Sequence, residues 1–406
     1  MKTVSGVQQR LLHENPKALF VNCTNHSLNL VGVHAVSENV MMVSFFGVVD
    51  KIYAFFAGST DRWNQIKDCL ELSLKYESDT RWSSRVEAMK PIFLHLNELI
   101  NLLDKMSKDK SISNNAKTRA TARSLATRIL QPDFLCLVTF WTTILCPIDR
   151  VQKRLQDKSM NFHEASLDIK SLEEHFLENG DTIISDAIKN GAELCNEWNI
   201  ETTKRIRFKK RKDEERIQYP SLLDDIKMQM KEIIVIIVKE MNERFTRLHD
   251  LDSKFGFLLD VNQLFYGECI DLKQKCSLFS RYYDDAVSAN ELYSDIIDCK
   301  MLLKPREKLN TPLEVLQFIV SFGDENVFPN LRVAIQILLT VAISIASCER
   351  SFSKLKLILT YLRATMQQQR LNDLAIISIE EKSNDPTDFE EVINCFASLK
   401  ARQVPL

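Results

Sequence analysis

Apolar residues recur along most of this chain at spacings of three and four, the period of helices that bury one face. The pattern is clearest near the C-terminus. Between 341 and 380, Cys348, Phe352, Leu355, Leu359 and Leu362 follow one another at spacings of 4, 3, 4 and 3, while Lys354, Lys356 and Arg363 fall largely off that stripe. Thr365 with Gln368 reads as a capping box that starts a second helix, with Leu371, Leu374 and Ile377 on its apolar side. A pair of this kind is either a core hairpin or the seam of a dimer.

The same period predicts helices over about 6–13, 37–57, 60–75, 83–106, 116–146, 165–190, 191–207, 221–250, 285–302, 311–322 and 328–340, with a short one after Asp385-Pro386. Asn15-Pro16 breaks the first of these, and Gly58 ends the helix before it. Pro91, Pro132 and Pro147 interrupt or start helices. The β-branched run 233–238 sits inside a long charged periodic segment and reads as a buried helix face. Ala18-Leu19-Phe20-Val21 is the one short run that reads as a strand, with a second short strand expected around Ile343. The fold class is therefore mainly α, with one or two short strands at most.

Composition sharpens this picture. The 406 residues include only nine glycines and ten prolines, and scarce turn formers suit a helical protein. The length accommodates one large or two ordinary domains. The formal net charge is −2, so contact with nucleic acid has to come from local basic patches. Ten cysteines are scattered without C-x-x-C pairs, several inside apolar runs, which suggests reduced buried thiols in an intracellular protein. No signal peptide is visible, and the runs 134–146 and 331–346 are too short or too polar to span a membrane. No small-molecule substrate, cofactor or membrane is expected.

Three stretches carry candidate chemistry. Cys23-Thr24-Asn25-His26 is half a zinc site at most, since no second pair stands at finger spacing; the plainer reading is a helix start capped near Asn22 or Thr24. Arg81-Trp82 pairs a guanidinium with an indole, suited to phosphate contact and base stacking, but equally a tryptophan packed at a helix start. In Lys204–Lys212 seven of nine residues are cationic, Lys209, Lys210 and Arg211 among them. That run fits a nuclear import signal or a phosphate-contacting patch, or else a solvated helix end offset by Asp213-Glu214-Glu215.

The words of the C-terminal stripe say more. Ser347-Cys348-Glu349-Arg350-Ser351-Phe352-Ser353, followed by Lys354-Leu355-Lys356 and Leu362-Arg363-Ala364-Thr365-Met366, resembles the C-terminal dimerisation region of hAT-family transposases, most closely the domesticated zinc finger MYM-type and TTF-type branch. The resemblance implies homodimerisation through Cys348, Phe352, Leu355, Leu359 and Leu362. It places Glu349 at the last acid of a metal-binding Asp-Asp-Glu set on an RNase H-like fold. Cys23, His26, Leu28, Asn29 and Leu30 match the family's C-x-x-H-x-L-N-L motif, where the core passes into a large helical insertion. Thr80-Arg81-Trp82 matches a motif whose tryptophan stacks on a flipped base. The organisation it implies is 1–22 as a remnant of the RNase H-like core, 23–325 as the helical insertion, and 326–406 as the dimerisation region with the last RNase H-like helix.

The same resemblance puts cleavage in doubt. The family's two catalytic aspartates precede the C-x-x-H motif, and no aspartate occurs among the 22 residues before Cys23. Glu349 is then vestigial, no metal is bound, and two-metal chemistry cannot be assembled from one carboxylate. The expected function is that of a dimerising transposase remnant without catalysis. The alternatives are a nuclear nucleic-acid-binding regulator, or a fragment of an active transposase whose N-terminal part lies elsewhere.

Overall fold

The computed structural model describes residues 6–19, 21–70, 73–76, 82–110, 115–157, 160–202, 222–267, 270–303, 308–341, 346–360, 365–379 and 394. The helices run in order: α1 Val7–Glu14, α2 Thr24–Ser37, α3 Val40–Ala57, α4 Thr60–Cys69, α5 Trp82–Leu94, α6 Leu96–Lys108, α7 Ala116–Ile129, α8 Pro132–Arg154, α9 Phe162–Glu197, α10 Leu222–Leu259, α11 Leu272–Tyr282, α12 Ala289–Leu303, α13 Pro312–Phe322, α14 Pro329–Thr340, α15 Ala346–Ile358 and α16 Gln368–Ile379. The chain divides into two compact units, Met1–Ser344 and Ile345–Leu406. Within the first unit, α14 packs on α12 and α13.

The first unit is built on three long helices. α8 and α9 lie antiparallel: Gly191 sits against Cys136, where a Cβ would come 2.3 Å from Sγ, and Arg154 pairs with Asp168 at 2.9 Å. α9 and α10 are also antiparallel, with Phe162 against Phe255 at one end and Gly180 against Ile234 further along. α2 covers α10 and α5 covers α8. Local chemistry starts these helices where it is needed. The Asn39, Asn115 and Asn161 side chains each accept backbone N–H groups at the starts of α3, α7 and α9. Thr311 and Glu314 form a reciprocal capping box on α13, with Pro312 in its first turn.

α14 is capped from another helix. Its N-cap residue, Phe328, adopts φ 51° and offers no side-chain bond. Asp295 of α12 accepts the N–H groups of Asn330 and Leu331 instead, at 2.9 and 3.1 Å. Burial nevertheless pushes the Asp295 carboxyl up, against the two N–H bonds that favour its charge.

Several expectations are corrected. Ala18, Leu19 and Val21 are not in a strand, Phe20 and Ile343 lie outside the described residues, and no strand occurs among those described. A lone extended run has no edge to pair with when its neighbours are helices. Ranges 165–190 and 191–207 form one helix to Glu197, because Gly191 serves the close approach of α8 rather than a break. The range 83–106 divides at His95. α8 continues through Pro147, and α4 stops at Cys69. α11 was not expected. α14 ends at Thr340 and Val341 is extended.

Two helices, α3 and α8, are long and apolar enough to cross a membrane by length and composition, and the apolar length of α3 escaped the sequence reading. In this structure they meet each other: the Phe45 and Phe134 rings are 4.9 Å apart and the Phe46 and Trp141 rings 5.0 Å.

Candidate functional site

Two motifs far apart in sequence meet inside the first unit. Cys23 is the N-cap of α2 without a side-chain cap bond, and His26 on its first turn is exposed. Helical period then turns Leu28 and Asn29 inward, where both are buried. There they receive Trp82, the first residue of α5. The Trp82 indole N–H donates to the Leu28 carbonyl at 3.1 Å, and its backbone N–H donates to Asn29 Oδ1 at 2.9 Å. The Gln152 side-chain N–H of α8 donates to the same Asn29 oxygen at 3.1 Å. One amide oxygen thus ties three helices, which a buried polar group must do to recover what it loses by leaving water.

Trp82 is 2% exposed. Its ring lies over Gly32, where a Cβ would come within 1.4 Å of ring carbons, and 5.8 Å from the Trp141 ring. Arg85, one turn along α5, is also buried, with its guanidinium 4.6 Å from the Phe46 ring centroid. Of the two readings open for Trp82, the structure shows the packed one. A base would reach neither face of this ring without opening the contact with Gly32. This corrects Trp82 as an exposed stacking residue. Arg81, Lys209, Lys210 and Arg211 lie outside the described residues.

A basic surface that the sequence reading did not single out lies on α7. Between Asn115 and Gln131 there are four cations, Lys117, Arg119, Arg123 and Arg128, and no acid. Arg123, Ser124, Thr127, Arg128 and Gln131, with Asp133 of α8, line an open recess of about 760 Å³. Arg128 is held by a two-pronged contact with Asp133 at 2.8 and 2.7 Å, while Arg123 is exposed. Absence of acid over seventeen positions was the available signal, hidden by the near-neutral balance of the whole chain.

The second unit contains α15 and α16, which pack on each other. The backbone of Cys348 and Glu349 lies in the first turn of α15, and their side chains lie outside the description. Phe352 is 68% exposed and Leu355 is half-buried. Leu359 falls just beyond the helix, its N–H bonded to the Leu355 carbonyl at 2.8 Å, and it is exposed. Leu362 lies outside the described residues. Leu357, Ile376 and Ile377 are exposed as well, Leu357 at 77%. The Lys354 ammonium donates to the Ser378 carbonyl and fastens the end of α16 to α15. α16 starts at Gln368, two residues later than a box on Thr365 requires, and the Gln368 amide reaches forward to Asn372 Oδ1 at 2.8 Å.

Residues 298–383 match the hAT family C-terminal dimerisation region. The chain carries a hAT-family C-terminal dimerisation region. The matched stretch begins within α12 and extends past α16, so it includes α13 and α14 of the first unit and both helices of the second. The exposed residues of α15 and α16 all fall inside it.

The structure thus brings together Leu28, Asn29 and Trp82 and leaves His26 on the surface. Among the described residues, no group of three or more His, Cys, Asp or Glu side chains is placed to hold a metal ion. Gly32 and Gln152 are the partners that sequence reasoning missed. An isolated glycine within a helical pattern commonly marks a close packing contact, and Gly32 is one.

Proposed function

We propose that this hAT-derived chain acts as a dimerising protein and does not cleave DNA. The observation that carries the reading is the match over 298–383 together with large apolar side chains left uncovered on α15 and α16. Uncovered leucine, isoleucine and phenylalanine clustered on a helix pair are the mark of a surface that a partner closes. The self-association assigned to this region makes a second copy that partner. We read residues 1–22 as a remnant of the family's RNase H-like core, 23–325 as its helical insertion, and 326–406 as its dimerisation region with the last RNase H-like helix. The non-cleaving half of the reading is confined to residues 1–406, in which Glu349 is the acid matched to the family's set and one carboxylate does not hold two metal ions. Sedimentation of the full chain at micromolar concentration tests the dimer. Incubation with Mg²⁺ or Mn²⁺ and a terminal-inverted-repeat DNA tests cleavage. Nicking that disappears in Glu349→Gln would overturn the second half alone.

A second reading, nucleic-acid binding in the nucleus, is favoured by the α7 surface. Arginine, serine, threonine and glutamine side chains around a recess are the groups that contact phosphate oxygens. An electrophoretic shift with duplex DNA, weakened by Arg123→Glu with Lys117→Glu and falling steeply with salt, is the expected result. Nuclear accumulation of a fluorescent fusion that fails when Lys209, Lys210 and Arg211 become alanine tests the compartment.

A further inference from the structure

A groove of about 440 Å³ lies where the α5–α6 junction meets α8 and the end of α9. One wall is apolar and open to solvent: Phe93 and Leu94 close α5 and are 38% and 53% exposed. The other rim is acidic. Glu193 and Glu197 stand four residues apart on α9, on one face of the helix, and Glu98 stands on α6. None of these three carboxylates has an ion-pair partner among the described residues, and no lysine or arginine lines the groove.

The position of the acids matters as much as their number. Glu193 and Glu197 fall at the C-terminal end of a 36-residue helix whose last turn has no basic residue. That end already carries the negative pole of the helix, so two added carboxylates raise the local negative potential rather than offset it. The arrangement is also held ready. Asn97 donates to Glu197 Oε1 at 3.3 Å and accepts the Trp198 indole N–H at 3.1 Å, fixing the rim against α6.

We propose that this groove docks a basic amphipathic helix of a partner protein, with its apolar face on Phe93 and Leu94 and its lysines or arginines on Glu193, Glu197 and Glu98. Charge complementarity selects a basic ligand. The absence of any strand edge among the described residues leaves helix-in-groove as the fitting mode. This surface lies outside residues 298–383.

The test uses the full chain and a fluorescently labelled leucine–lysine helical peptide of about 15 residues, long enough to form a helix on binding. Anisotropy should show saturable binding that weakens with salt. Glu193→Lys with Glu197→Lys should weaken it by at least about tenfold, as should Phe93→Ser with Leu94→Ser; a tenfold loss is about 1.4 kcal/mol. All four positions are at the surface, and unchanged circular dichroism confirms that the variants fold. A leucine–glutamate peptide should not bind. Absence of saturable binding, binding equal in parent and variants, or equal binding of the acidic peptide overturns the proposal. Reduced sedimentation mass of the same variants in the absence of peptide would also overturn it, by making a second copy the occupant.

Discussion

The surroundings of Trp82 and those of Phe352 are the two poles of this molecule. Both are aromatic residues on amphipathic helices, both belong to stretches with a strong apolar pattern. Trp82 is enclosed by α2, α5 and α8, its two N–H groups are paired, and even the backbone of Gly32 is shaped to its ring. Phe352 lies on α15, which packs on α16 among the described residues, and is two-thirds exposed. The difference lies in what covers each ring among the described residues. Two helices packed on each other bury one stripe apiece, and a second apolar stripe stays open until another element covers it. An apolar pattern in the body is thus spent on stability, and in the C-terminal unit it is available for association.

The comparison breaks first, and hardest, at Trp82. Trp82→Ala should cost about 3–5 kcal/mol, from lost transfer energy and the cavity left among Trp141, Gly32 and Arg85. Urea denaturation monitored by circular dichroism measures it. Gly32→Val should cost about 3 kcal/mol or more by forcing the helix off the ring. If either variant retained parental stability, α2 and α5 would not be locked as the structure has them.

At the other pole, Phe352→Asp with Leu357→Asp should leave the urea midpoint of the body within about 0.5 kcal/mol while weakening self-association by at least about tenfold, since an exposed position contributes little until a partner buries it. Sedimentation at several concentrations decides. A variant that unfolds with its association intact would reverse the roles assigned to the two regions.

Asn29→Ala should be intermediate in the body. It removes the acceptor shared by the Trp82 backbone N–H and the Gln152 amide, at about 1–3 kcal/mol for donors left buried. It should leave the dimer unaffected.

The smallest effects are expected along the α9–α10 seam as pH changes. His163 is hydrogen-bonded to Asp252 at 2.7 Å, and that bond holds its pKa above the ordinary value of about 6.5. The stability it contributes is fully present below the unfolded value and is lost as pH rises through the folded one. His249, 2.9 Å from the Ser166 hydroxyl, is pushed the other way by burial, with Lys170 adding to the shift and Asp252 and Asp250 opposing it. Its contribution is present above the unfolded value and lost as pH falls below it. Between about pH 8 and about pH 5, the parent should therefore change less than either His163→Gln, which loses relative stability toward acid, or His249→Gln, which gains it. Thermal melts across that range test both signs.

Much of the fold was open to reading in the sequence because helical period is local. The helices over 7–14, 40–57, 312–322 and 329–340 stand close to where apolar spacing, Gly58 and the Thr311-Pro312 start put them. The cysteine–glutamate–arginine–serine–phenylalanine word and its flanking stripe marked the hAT dimerisation region on their own. Where the sequence misled, the deciding partner was remote. Gly191 looks like a break until Cys136 of α8 is set against it. Phe328 has no cap until Asp295, on another helix, supplies it. Arg81-Trp82 offers an indole for stacking or for packing with equal plausibility, because exposure is not a property of a residue but of what surrounds it. Only the tertiary structure brought Leu28, Asn29, Gly32 and Gln152 to Trp82 and closed the question in favour of packing. The same reason holds for the apolar stripe of α15. Its spacing was fixed by sequence, and only the structure left Phe352 and Leu357 exposed among the described residues.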